Sequence, residues 1–481
     1  VWFRTRRSSV LDMVKRSLDS MARGGIYDHL AGGFARYCVD ERWLVPHFEK
    51  MLYDNALLTG AYLDAYLITR DESYAQVVRE TLDYILGYMT DGRGGFYSTE
   101  DADSEGEEGK FYVWTPAEIK EVLGDVRAHR FCYVYDVSES GNFEGRNILN
   151  LPKTIAECAA ARGWELKELT DELDASRAAL LAARDKRIRP GKDDKILVSW
   201  NALMIDSMAR TANILGEPKY LLAATAATEF ILKEMRRSDG RLLHAWRNGK
   251  AKLDAYLDDY SFMINALVTL YEASFDERWV DEAVRFADIV IAHFSDTAAG
   301  GFFFTADDHE SLITRNKDVH DSSVPSGNAM SATALLRLGR LTGRNKYQQA
   351  AQSALGYGIG VMHQSPAAAG QMLIAADMSL SPAREIVMLG IEHDTLRRVA
   401  NSLAQNYIPN LVVAARTDDP RTNSPHLQPI FEGKQVSDGP VSVFICENFA
   451  CQAPVDDSEQ IETLWASMAA SANFRCYDFD E

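Results

Sequence analysis

The chain has 481 residues, 46% of them apolar, and a formal net charge of −19, which describes a globular protein with an extensive core. The charge argues against a nucleic-acid binder, since no stripe of Lys and Arg exists to neutralise phosphates, and equally against an anionic membrane surface. No apolar run reaches the ~18 residues of a membrane helix, VWFRTRRSSV lacks the features of a signal peptide, and six cysteines in so long a chain form no disulfide framework, which fits a reducing cytoplasm.

In chain order, SSVLDMVKRSLDSMARGGIYD (8–28) has the register of the second helix of a repeat plus a glycine turn. The sequence is therefore expected to open in mid-repeat, as a fragment or truncated product without the first helix. A loop rich in Gly and aromatics (29–46) leads to a complete unit at 47–98. Its first helix, NALLTGAYLDAYLITRDESY (55–74), aligns without gaps on 201–220, 260–279 and 328–347. Each copy opens on a polar residue, continues with small and apolar residues at helical spacing and closes on an aromatic. A second helical run follows, and GGFYS (94–98), GRLLH (240–244) and GGFFF (300–304) end three of them. Residues 99–193 interrupt the repeat with the acidic run EDADSEGEEGK, a strand expected at 111–114, a short helix opened by Pro116 and Glu118, the loop GNFEGRNILNLP ending in a strand, and a helix over 167–189. After Pro382 the pattern becomes strand (384–390), helix (393–407), strand (409–417), strand (439–447) and helix (456–470).

Helical hairpins with a period of about 60 residues and glycine-aromatic turns predict a mainly α fold, an (α/α)6-type toroid lacking its first helix. The toroid is expected over 1–382, with the insertion 99–193 on one face, and a small α/β lobe over 383–481. Where the first helix is missing, an apolar edge is expected to be covered by the lobe, a second copy or a partner chain.

Just before each inner helix stands a group of ionisable residues: His47 and Glu49; Asp193, Asp194 and Lys195; Asp258 and Asp259; His320 and Asp321. Equivalent positions of a toroid share one rim, so these groups are expected to converge at the mouth of a cavity. Asp54, Asp259 and Ser326 also suit ordinary helix N-caps. Capping does not call for two histidines, a lysine and doubled aspartates. Acid–base roles thus fall to His47, His320, Asp194, Asp258, Asp259 and Asp321. Contacts to substrate fall to Glu49, Lys195, Asn201, Asn328 and the acidic-loop Asp103, with Tyr37, Tyr53, Trp200 and Tyr260 stacking on a ring. No metal or other cofactor is expected: Asp101-x-Asp103-x-Glu105-Gly106 begins like a calcium loop but places Tyr112 where the closing Glu belongs. Cys446 and Cys451 have neither redox nor zinc spacing and read as buried thiols.

GGIYDHLAGGFARYCVDERWLVPHFEKMLYDN, DADSEGEEGKFYVW, DDKILVSWNALM, YLDDYSF, VPSGNAM and CENFACQAPV together resemble the family of spermatogenesis-associated, thioredoxin-domain-containing proteins over essentially the whole chain. That resemblance implies a six-hairpin toroid similar to N-acylglucosamine 2-epimerases and six-hairpin glycosidases. The thioredoxin-like domain of the family and its CxxC are absent from this sequence. Three functions follow as alternatives. The first is a sugar epimerase or isomerase using His47 or His320 beside a carbonyl. The second is a glycosidase-like hydrolase using a pair among Asp194, Asp258, Asp259 and Asp321. The third is a non-catalytic scaffold for a glycan or protein partner.

Overall fold

The structure, a computed structural model, describes residues 1–310, 313–417, 423–437, 439–447 and 450–470. The fold is mainly α, built of helical hairpins, with an α/β arrangement in the tail. No described helix is long and apolar enough to cross a membrane. Two compact units are present: Val1–Tyr66, Asp71–Asp91 and Phe96–Asp194 form one, and Leu67–Arg70, Gly92–Gly95 and Lys195–Glu481 the other.

In the second unit the inner helices Val198–Leu215, Leu257–Ser274 and Gly327–Thr342 pack side by side in chain order, with Gly370–Leu380 against the last. Each is followed by an outer helix: Pro218–Glu234, Arg278–His293 and Asn345–Gln364. Inner helices are apolar nearly all round because they are covered on every side; Leu257–Ser274 buries fifteen of its eighteen residues. The gap-free repeat has a direct backbone counterpart at Arg70, Gly216, Phe275 and Gly343, which occupy one position of the alignment and all adopt left-handed φ values of 61°, 69°, 55° and 66°. A non-glycine residue there costs on the order of 1 kcal/mol. Phe275 offsets it by burying its ring among Ile386, Met388, Ala415 and Trp465 of the tail.

Asn328 and the glycine turn explain how hairpins are closed. Its amide accepts from Phe302 N (2.8 Å) and donates to Phe302 O and Asp318 O (2.9 Å each). Gly301 has φ 72°, and a Cβ there would lie 2.9 Å from Asn328 Oδ1, so the sequence needs glycine before this phenylalanine. Lys317 then ties the turn from the other side, donating to Asp296 Oδ2 (2.6 Å) and Gly300 O (2.9 Å) with its ammonium over the Tyr357 ring.

The tail contains a sheet in which Arg384–Gly390 pairs parallel with Leu411–Thr417 and antiparallel with Val441–Glu447, flanked by helices His393–Ala404 and Ser458–Ala470. Glu277, 3% exposed, receives Arg416 through both carboxylate oxygens (2.8 and 3.0 Å), and Glu272 accepts from Val413 N (3.2 Å). Cys446 and Cys451 are joined in a disulfide and are not free thiols. They face each other across Val441–Glu447 and Ala450–Cys451, a register that their separation in sequence did not disclose. Asn448 and Phe449 of the same stretch lie outside the described residues.

The first unit repeats the hairpin closure. Asn55, in helix Leu52–Thr69, accepts from Phe34 N (2.8 Å) and donates to Phe34 O (3.1 Å), and Lys50 donates to Asp28 Oδ2 (2.8 Å) and Gly32 O (3.0 Å) over the Tyr84 ring. The turn that corresponds to GGFFF is therefore Gly32-Gly33-Phe34, not the Gly24-Gly25 pair that the sequence reading placed at the end of the first helix. Residues 111–114 form a turn with a single bridge from Trp114 to Asn147, not a strand, because Tyr112 N and Val113 N both bond Gly109 O (2.9 and 3.2 Å) and Arg187 takes the carbonyls of Phe111 and Val113 (2.9 and 2.8 Å). The insertion packs around a core of Ile119, Leu123, Phe131, Val134, Cys158, Leu169, Leu173 and Leu180 on helices Pro116–Leu123, Asp125–Val134, Ile155–Arg162 and Leu166–Arg184, which Leu30 joins from the preceding loop. Thr115 and Glu118 form a reciprocal capping box at the first of these.

Candidate functional site

In the second unit the strand Leu243–Arg247 lies between Ile196–Leu197 and Lys250–Asp254 and carries His244 to the start of helix Leu257–Ser274. Asp259, wholly buried, accepts from Ser199 N (3.0 Å) and Tyr256 N (2.9 Å), and its Oδ2 lies 2.9 Å from His244 Nδ1. Those contacts leave Nδ1 as the proton-bearing nitrogen and the lone pair on Nε2, in a side chain that is 23% exposed. Burial alone would disfavour the imidazolium. The hydrogen bond and charge of Asp259 outweigh it and hold the His244 pKa above its ordinary value.

Asp258 stands beside this pair. Its Oδ1 approaches Gly327 so closely that a Cβ on residue 327 would be 2.3 Å away, which explains glycine at the first position of the next inner helix. Burial, together with the charges of Asp259 and Asp318, pushes the Asp258 carboxyl up to about 7. The arrangement places a carboxyl held up to about 7 beside an imidazole oriented by a buried carboxylate, two groups able to exchange protons. The Tyr256 ring borders them, 5.1 Å from His244 and stacked on Phe304.

The other expected residues of this unit have specific places. Asp321 accepts from Ser326 N (2.9 Å) and Gln371 N (2.8 Å), so it orders the entries to two helices. His320 is exposed on the loop before them. Asn328 is committed to the Phe302 turn, and the Tyr260 hydroxyl accepts from Leu242 N (2.9 Å) in the equivalent turn. Asn201 is buried and donates to Leu197 O (2.9 Å). Lys195 and Trp200 are half-buried near the strand that pairs with Leu243–Arg247.

In the first unit a second polar group forms around His47. Its Nδ1 lies 2.7 Å from Glu108 Oε1, its Nε2 lies 3.9 Å from Glu49, and its ring stacks on Tyr37 at 5.0 Å. Glu49 also pairs with Arg36 (3.3 Å). Glu108 comes from the acidic loop, where Asp103–Ser104 and Glu107–Glu108 form a small hairpin with Asp103 exposed. Tyr53 is buried, and the neighbouring Asp54 has its Oδ2 buried without a hydrogen-bond partner; burial pushes this carboxyl up to about 7. Asp193 pairs with Thr99 in the ladder Lys50–Met51, Thr99–Glu100, Lys192–Asp193, and Asp194 follows it half-buried.

His244 escaped the sequence reading, although its signal was present: GGFYS and GGFFF place Ser98 and Phe304 where GRLLH places a histidine. Among the described residues His293, Asp307 and Asp308 are close enough together to hold a metal ion. Asp307 bonds His293 and Asp308 bonds Arg241, and those partners already use the carboxylates.

No family model matches the chain. Human spermatogenesis-associated protein 20 is 31% identical over 95% of this chain and 63% of its own length, and the mouse protein is 32% identical over 95% and 62%. The chain thus spans less than two thirds of the curated relatives it matches. Among solved structures, a cellobiose 2-epimerase from Bacillus thermoamylovorans aligns with 74% of this chain and 73% of its own at 13% identity and a TM-score of 0.46. A sugar epimerase from a ruminal bacterium aligns with 72% and 70% at 13% identity and a TM-score of 0.45.

Proposed function

The chain is a homologue of the spermatogenesis-associated proteins across 95% of its own length, and from that footing we propose that its second unit performs acid–base chemistry on a small carbohydrate, in the manner of a sugar epimerase or isomerase. The observation that carries this reading is the trio His244, Asp259 and Asp258. His244 Nε2 takes the proton from the carbon beside a sugar carbonyl, Asp259 stabilises the imidazolium that forms, and the protonated Asp258 delivers or recovers a proton at the carbonyl oxygen. Tyr256 supplies an aromatic face against which a sugar ring packs. Positioned proton transfer of this kind contributes typically ~10²–10⁴-fold to rate.

Hydrolysis by paired aspartates has less support. Asp259 spends its oxygens on two backbone N–H groups and His244, so it is an orienting group and not a free nucleophile. The test is solvent exchange: the protein is incubated in D2O with aldoses, N-acylhexosamines and short disaccharides, and the C2 proton signal is followed. Exchange at C2 supports the proposal. Cleavage of a disaccharide without exchange favours the hydrolase, and no change in any sugar defeats both.

A further inference from the structure

In the second unit, a short segment of the tail is fastened to the outer helices of two hairpins. Ser424 donates its N–H to Glu277 and its hydroxyl to Asp281, both at the start of helix Arg278–His293, and its hydroxyl accepts from His426 N (3.1 Å). Leu427 and Ile430 are buried, and the short helix Gln428–Phe431 places the Phe431 ring beneath the Arg416 guanidinium at 4.1 Å. A further fastening is His426. Its Nδ1 lies 2.6 Å from a terminal nitrogen of Arg344, the residue that precedes helix Asn345–Gln364. A guanidinium has donors only, so Nδ1 is the acceptor, and the bond exists only while the imidazole is neutral with its proton on Nε2.

The groups around His426 set its charge. Arg344 and Lys346, at the start of Asn345–Gln364, oppose a proton on the ring, whereas Asp281 and Asp288, on Arg278–His293, favour one. Both carboxylates are engaged, Asp281 by Ser424 and Asp288 by Lys346 (2.6 Å) and the Tyr347 hydroxyl (2.7 Å). Among the described residues no carboxylate lies within ion-pair distance of Arg344, whose other terminal nitrogen meets the Tyr347 hydroxyl at 3.4 Å. Burial, and next the Arg344 charge, hold the imidazole pKa below its ordinary value. A proton taken at Nδ1 sets an N–H of one cation against an N–H of the other, so acid replaces a hydrogen bond by repulsion.

We infer that His426 is an acid-released latch: as a neutral ring it holds the segment 423–431 to the outer helices through Arg344, and as a cation it lets that segment go. The test is amide exchange of a peptide spanning 423–431, measured at about pH 7.5 and about pH 5.5 and corrected for intrinsic rates. Protection of this peptide should fall at least ~5-fold at the lower pH, with no such fall in helix Leu257–Ser274. Asp258 shifts stability in the opposite direction over this range, so a general loosening does not mimic the result. His426→Gln still accepts from Arg344 but takes no proton, and its peptide should stay protected at both pH values. If that variant fails to fold, the imidazole titration read by proton NMR decides: Arg344→Met, which removes the opposing cation and its donor, should move the His426 midpoint upward. No fall in the wild type, an equal fall in His426→Gln, or a midpoint unmoved in Arg344→Met overturns the inference.

Discussion

Asn328 holds both backbone groups of Phe302, and Asn55 holds both of Phe34, so in these two hairpins an asparagine locks the glycine turn to the opening of the inner helix. In another copy Tyr260 does this with its hydroxyl on Leu242 N. Replacing Asn328 by Leu strands a buried N–H and two carbonyls. We expect a loss of roughly 2–4 kcal/mol in chemical denaturation, with any sugar exchange by the remaining folded protein unchanged.

The tail depends on Glu277. Its carboxylate is buried and engaged by Arg416 from the sheet, so Glu277→Ala leaves a guanidinium without its partner. A destabilisation of about 3–5 kcal/mol is expected, seen as faster amide exchange in strand Leu411–Thr417. Unchanged exchange there would show that the ion pair does not hold the sheet.

Asp54 and Asp258 make stability fall with rising pH. In the folded chain burial pushes each carboxyl up to about 7 from an ordinary value of 3.8. Between these values the folded chain retains protons that the unfolded chain has released, so stability is lost as pH rises through that window. Asp258→Asn and Asp54→Asn should each flatten the decline, gaining roughly 1–2 kcal/mol at pH 8 after allowance for solvent screening.

The thiols should separate into two classes. Burial pushes Cys38 up to about 12 and Cys132 up to about 11, so in the native protein at pH 8 both should alkylate at least ~100-fold more slowly than after unfolding. Cys446 and Cys451 should stay unmodified until a reductant is added, and peptide mapping without reductant should recover them linked.

Much of this fold was legible because periodicity survives packing. The spacing that aligned 55–74 on its three counterparts lies on helices Leu52–Thr69, Val198–Leu215, Leu257–Ser274 and Gly327–Thr342, and the three long tail strands fall where their apolar runs predicted. The helices Asp125–Val134 and Ile155–Arg162 were missed because they are short and take their order from the Trp114–Leu180 core around them. Side-chain commitment was harder to read. Asn201 and Asn328 resemble rim ligands in sequence, yet their amides serve turn and helix backbone. His244 and Arg184 gave little local signal, because His244 meets Asp259 across fifteen residues and Arg184 meets Asp28 across 156.

The measurement that tests the central reading most directly is deuterium incorporation at sugar C2, compared among wild type, His244→Ala and Asp259→Asn under conditions where all three are folded by circular dichroism. The account predicts exchange by the wild type, its loss in His244→Ala, and a fall of at least ~10²-fold in kcat in Asp259→Asn, which would leave the imidazole misoriented. Exchange by His244→Ala at the wild-type rate, or none by the wild type with any sugar, would contradict it.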